Sequence, residues 1–76
     1  MYYMTTKRNS EVRAWLPCRA QTITGAKREA TREFGGGYLD AVLMVAGDFE
    51  HGSGDERLRL LASKSNVPGG KWEAQR

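Results

Sequence analysis

The alternation of apolar and polar residues predicts one helix followed and preceded by strands. Within residues 22–34 the apolar residues recur at helical spacing and would form one stripe. The stripe consists of Ile23, Ala26, Ala30 and Phe34. Thr22 or Thr24 is expected to cap the start, because a hydroxyl oxygen accepts from amides that lack an intrahelical partner. The glycines at 35–37 are expected to end the helix in a left-handed turn.

Four further segments are predicted as strands. Residues 10–20 alternate with period two, which is typical of a half-buried strand. Their predicted inner face carries Val12, Ala14, Leu16, Cys18 and Ala20. Residues 38–46 are the most hydrophobic run and the predicted central strand, with Leu39, Ala41, Leu43 and Val45 facing the helix. Residues 57–63 alternate again, with Leu58, Leu60 and Ala62 inward, and residues 71–75 form a short last strand carrying Trp72.

These elements predict an α+β fold in which a single helix packs on a small, mainly antiparallel sheet, in the order β-α-β-β(-β). Residues 1–76 are expected to form one domain, because the chain is short and contains no linker-like segment. Residues 1–9 are polar and basic after two tyrosines, so they are expected to be a flexible N-terminal arm. Translation from Met1 or from Met4 fits the sequence equally well.

Composition narrows the function classes only modestly. The chain has 76 residues, a hydrophobic fraction of 39% and one cysteine, so an internal disulfide and a cysteine-based zinc site are excluded. No apolar run approaches the roughly 20 residues of a membrane span, and residues 1–9 do not read as a signal peptide. We therefore expect a cytoplasmic protein with no membrane partner. The net charge of +3 favours a polyanionic or acidic partner.

Catalysis has little support in the sequence. His51 is the single histidine and lies in a Gly-rich acidic turn, which indicates a solvated loop residue. The acidic residues of that turn do not match the spacing of a calcium loop. The glycines at 35–37 follow a helix instead of opening one, so they do not form a phosphate loop. We expect no enzymatic activity, no cofactor and no metal site.

The basic face of the helix is the first candidate site. Lys27 and Arg28 are adjacent, and Arg32 follows Arg28 by four residues, so the two arginines lie on one side of the helix. Glu29 and Glu33 occupy the neighbouring ridge, and a solvated face crossed by ion pairs remains an alternative explanation. The three cations outnumber the two acids, which favours a binding role.

A second candidate site is the outer face of the sheet. The alternation places Trp15 outward, together with Arg13, Arg57 and Arg59. Arginine and aromatic side chains together are typical of interface centres and of stacking platforms for unpaired bases. The alternatives are that Trp15 covers a second small core, or that this face seals a dimer. A monomer and a weak dimer both remain open.

The helix segment also resembles a known pattern. It contains Ala20-Gln21-Thr22-Ile23, then Ala26-Lys27-Arg28, then Ala30. This resembles the motif A-Q-[ST]-[LI]-x-x-A-K-R-x-A of small phage and mobile-element anti-CRISPR proteins that act on type I Cascade complexes. The similarity continues more weakly through an apolar strand that ends at residues 47–48, a strand led by Arg57, and Trp72.

The resemblance implies one helix packed on an antiparallel sheet. It also implies that the protein binds the crRNA-bearing backbone subunits of Cascade at the place where guide and target DNA would pair. Binding there would block this pairing sterically. Some members make the inhibited complex hold double-stranded DNA without sequence specificity. By resemblance, the partner-binding residues are Gln21, Lys27, Arg28 and Arg32, the last in place of a lysine. The hypothesis from the sequence is thus an anti-CRISPR protein of a bacterial host's cytoplasm; the alternative is a nucleic-acid-binding module that uses Arg13, Trp15, Arg57 and Arg59.

Overall fold

The computed structural model describes residues 1–48 and 58–74. The elements in chain order are β1 (Tyr2–Arg8), β2 (Glu11–Val12), β3 (Leu16–Pro17), α1 (Ile23–Phe34), β4 (Val42–Asp48), β5 (Leu58–Ser65) and β6 (Glu73–Ala74). All strand pairs are antiparallel, in the order β2-β1-β4-β5-β6, with β3 also pairing with β1. Helix α1 packs on one face of this sheet, which confirms the predicted α+β class.

The first strand lies inside the sheet, so the expectation of a flexible N-terminal arm was wrong. β1 pairs with β4 from Tyr2↔Gly47 to Lys7↔Val42, and its other edge pairs with β2 and β3. Met4 belongs to the core cluster, and Thr5 is fully buried with its hydroxyl donating to the Arg13 carbonyl at 2.8 Å. The buried hydroxyl is thereby satisfied, which is why a polar segment can occupy the middle of a sheet.

The predicted strand over residues 10–20 is present only as β2 and β3. Asn9 and Ser10 have positive φ values of 53° and 66° and form a two-residue hairpin turn after β1. The pairing then shifts by one residue between Lys7↔Val12 and Met4↔Leu16, as in a β-bulge. The shift breaks the predicted alternation. Cys18 is buried, whereas three residues of the predicted inner face are exposed: Val12, Ala14 and Leu16.

β4 supplies the centre of the core, as predicted. Leu43 and Val45 are fully buried and Ala41 is 6% exposed. Val45 lies against Ala26 and Ala30 of α1 and against Met4 of β1. The predicted strand began too early, because residues 39–40 form a turn and Leu39 is 61% exposed.

A second irregularity changes the orientation of β5. The register shifts between Val45↔Ala62 and Ala46↔Leu60, which leaves one extra residue in β5. Ala62 is fully buried, as predicted. Leu60 instead lies on the face away from the helix, beside Val42 and Met44, so its predicted inward orientation was wrong. β6 confirms the short last strand, and Trp72 packs against the core cluster.

Both ends of the helix lie where the sequence predicts them. Thr22 is the N-cap, and its hydroxyl accepts from the Gly25 amide at 3.1 Å. The reason for the C-terminal stop differs from the prediction: Gly35 has φ −63° and is not left-handed. A side chain on Gly35 would collide with the Thr31 carbonyl, whose oxygen accepts from the Gly35 amide.

Among the described residues, no helix is long and apolar enough to cross a membrane.

Candidate binding surface

Arg28 and Arg32 form an exposed cationic pair on the side of α1 opposite the sheet. The buried stripe contains Ala26 and Ala30, and both arginines are exposed. We call this pair the cationic ridge. Within residues 1–48 and 58–74, neither arginine makes an ion pair or a side-chain hydrogen bond. Arg32 also lies in the last helical turn, where a cation stabilises the helix dipole, so its charge has a structural role as well.

Lys27 does not lie on the cationic ridge. It precedes Ala30 by three residues and Phe34 by seven, which places it at the border of the buried stripe. Lys27 is accordingly half-buried, and its carbonyl accepts from the Thr31 hydroxyl at 2.9 Å. The structure therefore brings two of the three predicted helix cations together and sets the third on the flank.

Glu29 does not pair with the neighbouring cations. Its carboxylate accepts from the Arg19 amide at 2.9 and 3.1 Å and from the Ala20 amide at 2.9 Å. The alternative of a helix face crossed by ion pairs is therefore wrong for Glu29. Glu33 makes no ion pair in the described part of the chain either. The guanidinium groups of the cationic ridge remain available to a partner.

The loop of residues 18–22 carries Gln21 and Arg19 beside the helix. Gln21 precedes the N-cap and is exposed. Arg19 is also exposed, and sequence reasoning did not select it. The signal that would have identified it is tertiary, since Arg19 and Glu29 are ten residues apart.

Cys18 anchors the start of this loop in the core. It is 7% exposed, and its amide donates to the Tyr2 carbonyl at 2.8 Å. Burial raises the pKa of the Cys18 thiol, and the negative charge of Glu29 raises this pKa further. The thiol therefore stays protonated to higher pH than an exposed cysteine and is a poor nucleophile.

The predicted site on the outer sheet face is not assembled. Arg57 lies outside the described residues. Arg59 pairs with Gly47, which pairs with Tyr2 on the helix side of the sheet, and β1 and β4 separate it from the edge that carries Trp15. Trp15 is half-buried in the connection between β2 and β3. Within the described residues, Arg13, Arg59 and Trp15 do not form a common arginine–aromatic platform.

Arg13 lies in a different place, a groove of about 440 Å³ between the β1–β2 hairpin and the C-terminal end of α1. At the rim of this groove the Arg8 guanidinium stacks on Tyr38, 3.7 Å from the ring centroid, and its Nε donates to Asp40 Oδ1 at 2.9 Å. The groove presents carboxylates as well as cations, from Glu11 and Glu33 as well as Arg8 and Arg13. This mixture gives no preference for phosphate.

Metal-binding geometry is also lacking in the part of the chain that the structure describes: within it, no three His, Cys, Asp or Glu residues lie together in a way that could hold an ion. Comparison of the chain with protein-family models, with curated proteins and with solved structures finds no match. The candidate surface therefore consists of the cationic ridge, Lys27 on its flank, and the loop of residues 18–22.

Proposed function

We propose that this protein is an anti-CRISPR inhibitor that binds type I Cascade at its crRNA-bearing backbone subunits and blocks hybridisation of target DNA. The observation that carries the proposal is the cationic ridge, which is exposed and unpaired within the described residues. It lies in the helix segment that resembles the anti-CRISPR motif. The site of action would be the cytoplasm of a bacterial host, where Cascade encounters DNA.

The chemistry of the ridge fits such a partner. Guanidinium groups bind phosphate and carboxylate through paired N–H donors, and they remain charged at any physiological pH. Backbone subunits that carry a guide RNA present phosphates next to protein side chains. In an inhibited complex the same arginines would be available to phosphates of double-stranded DNA, which would allow binding without sequence specificity.

Charge reversal of the ridge tests the assignment. Arg28→Glu together with Arg32→Glu should abolish capture by purified type I Cascade and restore the target-DNA gel shift. We expect each substitution to weaken binding by at least about tenfold, because loss of one partner of a hydrogen-bonded charge pair buried in an interface typically costs about 2 to 5 kcal/mol. Circular dichroism should still show a folded protein, because both side chains are exposed, and Arg32→Glu should cost only a little stability by placing an acid in the last helical turn.

A matched control is the double variant Lys7→Glu and Lys71→Glu. It changes the net charge by the same amount at two exposed positions that belong neither to α1 nor to the loop of residues 18–22. This control should still inhibit Cascade. Inhibition that survives in the folded ridge variant would rule out the ridge as the site. Salt-sensitive binding of the isolated protein to single-stranded DNA, unaffected in the ridge variant, would favour the nucleic-acid-binding module instead.

A further inference from the structure

Glu29 forms a clasp between the helix and the preceding loop. Its two carboxylate oxygens accept the amides of Arg19 and Ala20 at 2.9 to 3.1 Å. Hydrogen bonds from amides to an ionised carboxylate are stronger than those between neutral groups. Because each backbone amide has a single hydrogen, both donors are occupied by the same side chain. The clasp therefore fixes the backbone of the loop against the middle of α1.

The same loop is held at three other points. Cys18 is buried in the core and pairs with the Tyr2 carbonyl at 2.8 Å. Ala20 packs so closely on the helix that a Cβ at Gly25 would lie 2.8 Å from its methyl carbon. Thr22 is the N-cap of α1. With its backbone held in this way, the loop presents the exposed side chains of Arg19 and Gln21.

The clasp holds the backbone of Arg19 on the side of the helix that carries Glu29. Arg32 follows Glu29 by three residues, so the two side chains are neighbours on the helix surface, and Glu29 lies on the ridge next to the cationic ridge. The amide of Arg19 is bonded to that carboxylate, so the Arg19 side chain starts within the same part of the surface. The Glu29 oxygens accept from loop amides instead of pairing with the guanidinium groups around them.

We propose that Arg19 is a third cationic contact of the binding surface and that Glu29 is the residue that positions it. This inference rests on the proposed function and deepens it. Arg19 would meet an anionic group on Cascade together with the cationic ridge. The binding surface then consists of a helix and a loop. Glu29 fixes the loop against the helix and does not itself contact the partner.

The direction in which Glu29→Ala changes the affinity separates this inference from a simple charge effect. Glu29→Ala removes a negative charge from a cationic surface, so charge alone predicts tighter binding to an anionic partner. Positioning predicts weaker binding, because the freed loop must be ordered again when the complex forms. Glu29→Gln keeps an acceptor oxygen at the same place and is the conservative variant.

The experiment is a double-mutant cycle on affinity for purified Cascade. We expect Arg19→Ala and Glu29→Ala each to weaken binding by about fivefold to tenfold, and the double variant to be no weaker than Arg19→Ala alone. Glu29→Gln should retain most of the affinity. Hydrogen exchange of the Arg19 and Ala20 amides should accelerate in Glu29→Ala and change little in Glu29→Gln. Lys71→Ala, at an exposed position outside both α1 and the loop of residues 18–22, should bind normally.

Two results would overturn the positioning role while leaving the proposed function intact. One is full affinity of the Arg19→Ala variant, and the other is tighter binding by Glu29→Ala. If Glu29→Ala does not fold, the affinities of Arg19→Ala and Glu29→Gln decide the question. A wild-type protein that does not bind Cascade at all would instead reject the proposed function and this inference with it.

Discussion

At the scale of single residues, Cys18 shows how burial changes the chemistry of a side chain. Its thiol belongs to the core cluster with Met4 and Val45, and the carboxylate of Glu29 lies close enough to affect it. Burial comes first among the causes that raise the pKa of the thiol, and the charge of Glu29 comes second. Both disfavour the thiolate. The folded protein therefore holds the Cys18 proton more tightly than the unfolded chain does.

This difference predicts a loss of stability at alkaline pH. Below the ordinary thiol pKa of about 8.5, the thiol is protonated in both the folded and the unfolded protein, and the protonated thiol makes its full contribution to the free energy of unfolding. As the pH rises through the interval between the unfolded and the raised folded pKa, the unfolded chain ionises first and stability falls. The free energy of unfolding should therefore decrease more between about pH 7 and pH 10 in the wild type than in Cys18→Ala.

Urea denaturation of both proteins across this range measures the effect. The constant cost of the missing sulfur cancels in the comparison, because only the change with pH is used. All other groups are the same in both proteins, so their contributions cancel as well. Parallel pH curves for the two proteins would show that burial does not affect the thiol.

At the scale of elements, the helix was predictable because its signals are local. The stripe of Ile23, Ala26, Ala30 and Phe34 has helical period, and Thr22 stands where a cap is needed. The exposure of Arg28 and Arg32 follows from the same period. The hydrogen bond from the Arg19 amide to Glu29 does not follow from the helical period, because it depends on how a loop packs against the helix.

The strands were harder because two register shifts interrupt their alternation. A bulge moves every later side chain to the opposite face, so a pattern read from one strand fails after it. Val12 and Leu60 are misassigned for this reason. The partner strand decides where a bulge forms, and neither sequence segment contains that information alone.

The contact between the loop and the helix makes a prediction about Gly25. Glycine inside a helix usually costs about 1 kcal/mol relative to alanine, so Gly25→Ala would ordinarily stabilise α1. Here the new methyl group would lie 2.8 Å from the Ala20 methyl carbon. We expect Gly25→Ala to lower the melting temperature instead, because the loop must move away and weaken its bonds to Glu29.

Two variants make this prediction specific. Thr24→Ala changes the neighbouring exposed helical residue and should stabilise the protein by a few tenths of a kcal/mol, from helix propensity alone. Combining Gly25→Ala with Ala20→Gly removes the collision and should recover much of the loss. A higher melting temperature for Gly25→Ala alone would mean that the loop does not press on the helix.

At the scale of the whole molecule, β1 joins the two halves of the sheet. It lies between β4 on one side and β2 with β3 on the other. Sequence reasoning missed it because its residues are polar and do not alternate cleanly. The available signal was strand propensity, since tyrosine and threonine at positions 2–6 are typical strand formers, followed by a turn at residues 9–10. The hydroxyl of Thr5 donates to the Arg13 carbonyl, so this polar residue can be buried in the middle of the sheet.

The position of β1 decides what a chain beginning at Met4 would lose. Tyr2 pairs with Gly47, packs against the core cluster and receives the Cys18 amide on its carbonyl. Tyr3 pairs with Ala46 and with Pro17.

We expect removal of residues 1–3 to lower the free energy of unfolding by at least about 3 kcal/mol, from burial of one aromatic side chain and several backbone hydrogen bonds. Urea denaturation measures the loss. A full-length variant with Tyr2→Thr and Tyr3→Thr keeps the backbone pairing and should be of intermediate stability, since it loses only side-chain contacts. Equal stability of the truncated and full-length chains would mean that residues 1–3 do not contribute to the stability of the sheet.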